Sequence, residues 1–223
     1  RAFFRKKIRD VMTLAHELGH GIHQYLANKN GILLANTPLT LAETASVFGE
    51  MLTFKSLLNK SKTKDQKIFL LRSKIEDMLN TVFRQIAFFK FERGVHSKRA
   101  SGELTEQEIS EIWMDTQKES LGSAIKFGDN YKYFWAYIPH FIHSPFYVYA
   151  YAFGDCLVNS LYKKYEDGED NFKEKYYKLL EAGGSIHYQN HLTKFKLNPK
   201  RQDFWQLGMN LIKNLMDDLE KLS

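Results

Sequence analysis

The stretch "TLAHELGHGIH", residues 13–23, sets His16 and His20 four residues apart, with Glu17 beside the first. On an α-helix that spacing puts two imidazoles on one face, separated by about 6 Å of rise, so both can reach a single ion. A glutamate next to the first ligand is suited to taking a proton from water at that ion rather than to binding the ion itself, as in zinc peptidases. The pattern H-E-x-x-H arises by chance in roughly a few per cent of such sequences. A third ligand therefore decides between a metal site and a helix that happens to carry two histidines.

A catalytic zinc takes three protein ligands and keeps one position open. His23 lies on the same stripe, but its axial offset of about 10 Å from His16 makes it a packed or supporting histidine. The metzincin pattern needs its third histidine ten residues after the first, where this chain has Leu26. A thermolysin-like arrangement would follow Glu43 with an aspartate four residues later, and that position is Val47. Glu43 still lies in the otherwise apolar segment "LTLAETASVFGEML", where a buried carboxylate needs a partner and an ion would supply one. The alternative is a glutamate turned to solvent. Ser46 and Glu50 share its helical face and are spaced to orient the ligands.

The elements that must position these residues are helical throughout, and the expected fold class is all-α. A first helix is expected over about residues 5–28, stopping near Gly31, and a second from about Thr40. One long amphipathic helix is expected over residues 64–98, with Phe69, Ile75, Leu79, Phe83, Ile86 and Phe89 as its core stripe. Thr105 and Glu108 form a capping box for a shorter helix through about Glu119. The aromatic segment "FGDNYKYFWAYIPHFIHSP" is irregular, interrupted by Pro139 and Pro145, and such segments often line sites. Further helices are expected over about 145–166, 169–182, 184–194 and 203–222.

With 223 residues and 43% apolar content, the chain can bury a continuous core. Its net charge of +6 is spread over polar faces and interleaved with acids, which reads as solvated surface rather than a nucleic-acid patch. The only cysteine, Cys156, cannot form an intrachain disulfide and reads as a small buried apolar residue. No apolar run is long enough to cross a bilayer, and "RAFFRKKIRD" lacks the features of a signal peptide, so a cytoplasmic protein without membrane or nucleic-acid partners is expected. The start at Arg1, with a catalytic-looking helix immediately after it, suggests a piece of a longer chain.

Three blocks, "TLAHELGHGIHQYLA", "TPLTLAETASVFGEM" and "IPHFIHSPFYVYAYAFG", resemble the thimet oligopeptidase and oligoendopeptidase F family of zinc metallopeptidases, closer to the oligoendopeptidase F branch. The closing "FWQLGMNLIKNLMDDLEKL" extends the likeness over almost the whole chain. The resemblance implies that residues 1–223 are a C-terminal catalytic region holding one zinc, with a zincin-like helical fold forming part of a two-lobed cleft. It assigns His16, His20 and Glu43 as metal ligands and Glu17 as general base and proton shuttle. It also makes His140, Tyr147 and Tyr149 hydrogen-bond donors to the substrate carbonyl and the tetrahedral intermediate, with His143 competing for the role of His140. Tyr151, two residues beyond Tyr149, is expected to pack elsewhere.

The implied function is zinc-dependent hydrolysis of internal peptide bonds in short unstructured oligopeptides. The alternative is a zinc-holding peptide-binding or scaffold fragment whose incomplete cleft turns over little. Oligomeric state and cleavage preference leave no mark in the sequence.

Overall fold

A computed structural model describes residues 2–222 and finds helices without strands among them. The elements are α1 (Ala2–Ala27), α2 (Thr44–Lys60), α3 (Lys64–Leu79), α4 (Gln85–Arg99), α5 (Glu106–Leu121), α6 (His140–His143), α7 (Tyr149–Glu166), α8 (Phe172–Glu181), α9 (Tyr188–Lys194) and α10 (Gln202–Leu222). No helix among the described residues is long and apolar enough to cross a membrane. The chain divides into two compact units. One runs through Met78 and resumes at Phe153, and the other is Leu79–Ala152.

The first unit is built on Phe48 of α2, whose ring meets those of Tyr162, Phe172 and Tyr176 at centroid distances of 4.7 to 5.8 Å. Leu157, Leu161, Phe195, Phe204 and Leu211 complete a core with almost no exposure. Tyr176 also donates from its hydroxyl to the Thr44 carbonyl oxygen at 3.0 Å, tying the start of α2 to α8. Cys156 is buried as expected, its thiol pushed up to about 12 by burial and by the neighbouring Asp155 charge. One stripe of α1, carrying Val11, Leu14, Leu18 and Ile22, remains exposed.

The second unit packs Phe88, Phe91, Trp113, Ile138 and Val148 into a small aromatic core. The Thr105–Glu108 capping box forms as the sequence predicts and starts α5. The aromatic segment folds as a 3-10 run, Asp129–Tyr137, fastened by the Trp113 indole N–H donating to the Tyr131 carbonyl oxygen at 3.0 Å.

Two expectations about the long middle helix do not hold. A π-helical turn at Asn80–Arg84 divides it into α3 and α4. Each extra residue in such a turn rotates the next stretch of helix by about 100°. The buried line runs Leu71, Ile75, Met78 and Val82, then resumes at Ala87, Phe88 and Phe91, while Leu79, Phe83 and Ile86 are exposed. The second and seventh helices also start later than expected, at Thr44 and Tyr149.

What brings the site together is the crossing of α1 and α2. A Cβ on Gly19 would lie 2.5 Å from Ser46 Cα and 2.6 Å from the Ala45 carbonyl oxygen, and a Cβ on Gly49 would lie 3.2 Å from the Ala15 carbonyl oxygen. Only glycine allows the backbones this close. We expect Gly19→Ala to destabilise the fold by about 3 kcal/mol, since the obstructing atoms are backbone and cannot swing away. Gly21→Ala, which meets nothing within 4 Å, should stabilise by about 0.5–1 kcal/mol through helix propensity. Urea unfolding midpoints of the two metal-free variants check the opposite signs.

Candidate active site

His16, Glu17 and His20 come from α1, and Glu43 occupies the N-cap position of α2. The close helix crossing sets these two segments face to face. His16 Nε2 lies 3.0 Å from His20 Nε2, and each of these nitrogens lies 3.5 Å from Glu43 Oε2. Among the described residues these three side chains form a group whose ligand atoms all fall within 4.8 Å of one another.

The donor set and its dimensions fit zinc. Ligands about 2.05 Å from a tetrahedral ion stand about 3.3 Å apart, and the observed triangle of 3.0, 3.5 and 3.5 Å has that size. Two imidazoles and one carboxylate are the ligand types of a catalytic site with an open fourth position. Glu17 is exposed beside His16, free to meet a water molecule rather than a ligand position.

The surroundings hold the ligands in a usable state. His16 Nδ1 lies 2.5 Å from Glu50 Oε1, and donation of the Nδ1 proton to that carboxylate leaves the Nε2 lone pair facing Glu43 and His20. The hydrogen bond to Glu50, opposed by burial and helped by the charges of Glu50, Glu43 and Glu17, raises the His16 pKa above its usual value. The Ser46 hydroxyl donates to Glu43 Oε2 at 2.7 Å and restrains the carboxylate.

His23 stands apart from this group. It is 3% exposed, with Nε2 3.4 Å from Thr37 Oγ1. Burial, with the His20 charge in support, pushes its pKa down to about 4. Its side chain borders a pocket of about 510 Å³ that His20, Gln24, Asn36 and Thr37 also line.

In the second unit, His140, Tyr147 and Tyr151 gather. His140 Nε2 is 3.2 Å from the Tyr151 hydroxyl, and the Tyr147 and Tyr151 rings are 5.3 Å apart. Tyr149 instead sets its ring against Phe89, and His143 is exposed. Tyr151, expected to pack elsewhere, is the tyrosine whose hydroxyl meets His140. Tyr147 stands in the turn just before α7 and Tyr151 in the first turn of that helix, so the two meet by the fold of the turn, while Tyr149 points toward Phe89.

Sequence reasoning missed Lys74, a cation 5% exposed whose Nζ lies 3.7 Å from Glu50 Oε2. The available signal was a lysine inside the apolar line Leu70, Leu71, Ile75 and Met78.

An all-α fold with H-E-x-x-H on one helix and a glutamate opening the next defines a helical metallopeptidase class. The chain belongs to Peptidase family M3, whose sequence pattern matches residues 4–211. It is 31% identical over 221 residues to the plasmid oligoendopeptidase F of Lactococcus lactis subsp. cremoris, an alignment covering 98% of this chain and 37% of that protein. An oligoendopeptidase F homolog of Borreliella burgdorferi is 32% identical over 220 residues, with 97% and 37% covered. The crystal structure of oligoendopeptidase-F from Enterococcus faecium superposes with a TM-score of 0.84 at 26% identity, covering 100% of this chain and 40% of that one. The chain thus spans about 37% of the length of the curated relatives it matches.

The depressed pKa of His23 has a definite consequence. The unfolded chain takes up this proton near pH 6.5 and the folded chain only near 4, so stability is full above 6.5 and falls as pH drops between those values. Between pH 7 and pH 5 the loss is about 2 kcal/mol. In His23→Asn the pH 7 to pH 5 change in unfolding free energy, measured by urea titration of metal-free protein, should be smaller by that amount.

Proposed function

We propose that this chain carries the metal-holding part of a zinc-dependent endopeptidase that hydrolyses internal peptide bonds of short, unstructured oligopeptides. The observation that supports it is the convergence of His16 Nε2, His20 Nε2 and Glu43 Oε2 beside an exposed Glu17. A zinc ion held by these three side chains would act as a Lewis acid on the scissile carbonyl and on an attacking water.

Glu17 takes the proton of that water as it attacks and passes it to the departing amine. Glu50 keeps His16 in the tautomer that presents Nε2, and Ser46 keeps Glu43 turned toward the histidines. His140 and Tyr147 are proposed as hydrogen-bond donors to the oxyanion, a part the resemblance also gives Tyr149, whose ring is turned against Phe89, and loss of one such donor costs about a hundredfold in rate. The same reading makes the protein cytoplasmic and oligopeptides its partners.

A second reading is favoured by the exposed apolar stripe of α1. It takes the chain as a zinc-holding peptide-binding fragment with little turnover.

The deciding experiment measures zinc content and cleavage of quenched fluorogenic peptides on the same samples. Wild-type protein should hold one zinc per chain and cleave. Glu17→Gln should keep its zinc while losing about a hundredfold or more in rate, and His16→Ala should lose both. Zinc without cleavage in wild-type protein would select the second reading. Unchanged cleavage in Glu17→Gln with zinc retained would remove Glu17 from the mechanism.

A further inference from the structure

Behind His16 the polar groups continue inward. Glu50 uses its two oxygens in two directions, Oε1 toward His16 Nδ1 at 2.5 Å and Oε2 toward Lys74 Nζ at 3.7 Å. Lys74 projects from the apolar face of α3, with Leu70, Leu71, Ile75 and Met78 buried around it. Its side chain is 6% exposed, so the ammonium has given up most of its water.

A buried ammonium is costly, and a well-packed apolar side chain of similar volume often leaves a fold as stable or more so. Stability alone therefore gives little reason for a lysine here. Charge balance is a competing account, because Asp155 and Asp77 also face this ammonium. Asp155 is itself buried, its pKa pushed up to about 6 by burial against the opposing pull of Lys74 and of the Asn159 amide, which donates to Asp155 Oδ2 at 2.8 Å. Asp77 is likewise raised by burial, with Lys74 and Arg9 opposing and Glu50 and Glu76 adding to the rise.

What distinguishes Lys74 is where its ion pair leads. Glu50 and Lys74 both line a pocket of about 370 Å³, together with Arg9, Ser73 and Asp77. On that flank Glu50 borders open space, and the Lys74 ammonium is the cation its Oε2 faces there.

Resting on the zinc reading above, we propose that Lys74 is a positioning residue of the metal centre, holding Glu50 in the orientation that fixes His16. At 3.7 Å the pair is a Coulomb contact rather than a hydrogen bond. In a largely desolvated setting it is still strong enough to choose among carboxylate rotamers. Partners that orient a histidine ligand typically contribute about 10- to 100-fold to metal affinity. Lys74 acts one link further out, through the same carboxylate.

The test is zinc affinity, measured on the whole chain by competition with a chelator, for wild type, Lys74→Met, Glu50→Gln and the double variant. Circular dichroism and urea melts of the metal-free proteins report folding. Lys74→Met should weaken zinc binding about 10-fold or more. In the Glu50→Gln background it should add less than about twofold, because the path through Glu50 is already gone. Lys74→Arg, which restores a cation, should recover most of the loss.

If Lys74→Met fails to fold, Lys74→Gln takes its place in the same cycle with the same expectation. Unchanged zinc affinity in the Lys74 variants would overturn the proposal, as would equal losses in both backgrounds. Absence of stoichiometric zinc in wild-type protein would instead overturn the metal reading on which the proposal stands.

Discussion

The convergence of His16, His20 and Glu43 depends on how closely two backbones approach. His16 and His20 sit on α1, and their third partner, Glu43, opens α2. The distance between the two helices is set where Gly19 lies against Ala45 and Ser46. With any side chain at position 19, the helices would separate by roughly the width of a methyl group. A triangle of ligand atoms with edges of 3.0 to 3.5 Å would then open beyond the reach of one ion. The glycine inside "HELGH" is therefore as much a part of the site as the histidines, although it touches no ligand.

The second organising constraint is electrostatic. The chain carries a net charge of +6, yet carboxylates surround His16, with Glu17 adjacent, Glu43 facing it and Glu50 behind it. Net charge describes the solvated surface, whereas cation affinity is decided within a few ångströms. The same carboxylates that favour a metal ion also favour a proton on His16, so proton and metal compete for one imidazole. Burial resists that proton only in part, so the His16 pKa stays raised, and a metal ion would take the place of the proton at the nitrogen that Glu50 leaves facing Glu43 and His20.

The second unit obeys a different logic. Its core is aromatic, and the irregular run Asp129–Tyr137 is held by polar tips as much as by ring burial. The Trp113 indole reaches a backbone carbonyl oxygen, the Trp135 indole reaches Ser110, and the Tyr131 hydroxyl donates to Gln117. Buried Glu92 accepts the backbone N–H of Phe146, a residue at positive φ, and so holds the turn that precedes α7. That turn sets where α7 begins and carries Tyr147 to the Tyr151 ring.

Much of this was legible in the sequence because it is local. Four-residue spacing puts His16 and His20 on one face of any helix, a capping box announces α5, and an apolar setting marks Glu43 as a carboxylate in want of a partner. An all-α class and a buried Cys156 come from composition and periodicity. Tertiary structure decided what local rules leave open. The π turn at Asn80–Arg84 adds one residue to a helical repeat and moves the buried line off Phe83 and Ile86, an effect that periodicity assumes away. Packing set Tyr149 against Phe89 and left Tyr151 beside His140. Lys74 acquires meaning only because α3 brings it behind Glu50, 24 residues away in sequence. Spacing along one helix is a property of covalent geometry, whereas convergence between helices depends on packing distances that no single segment encodes.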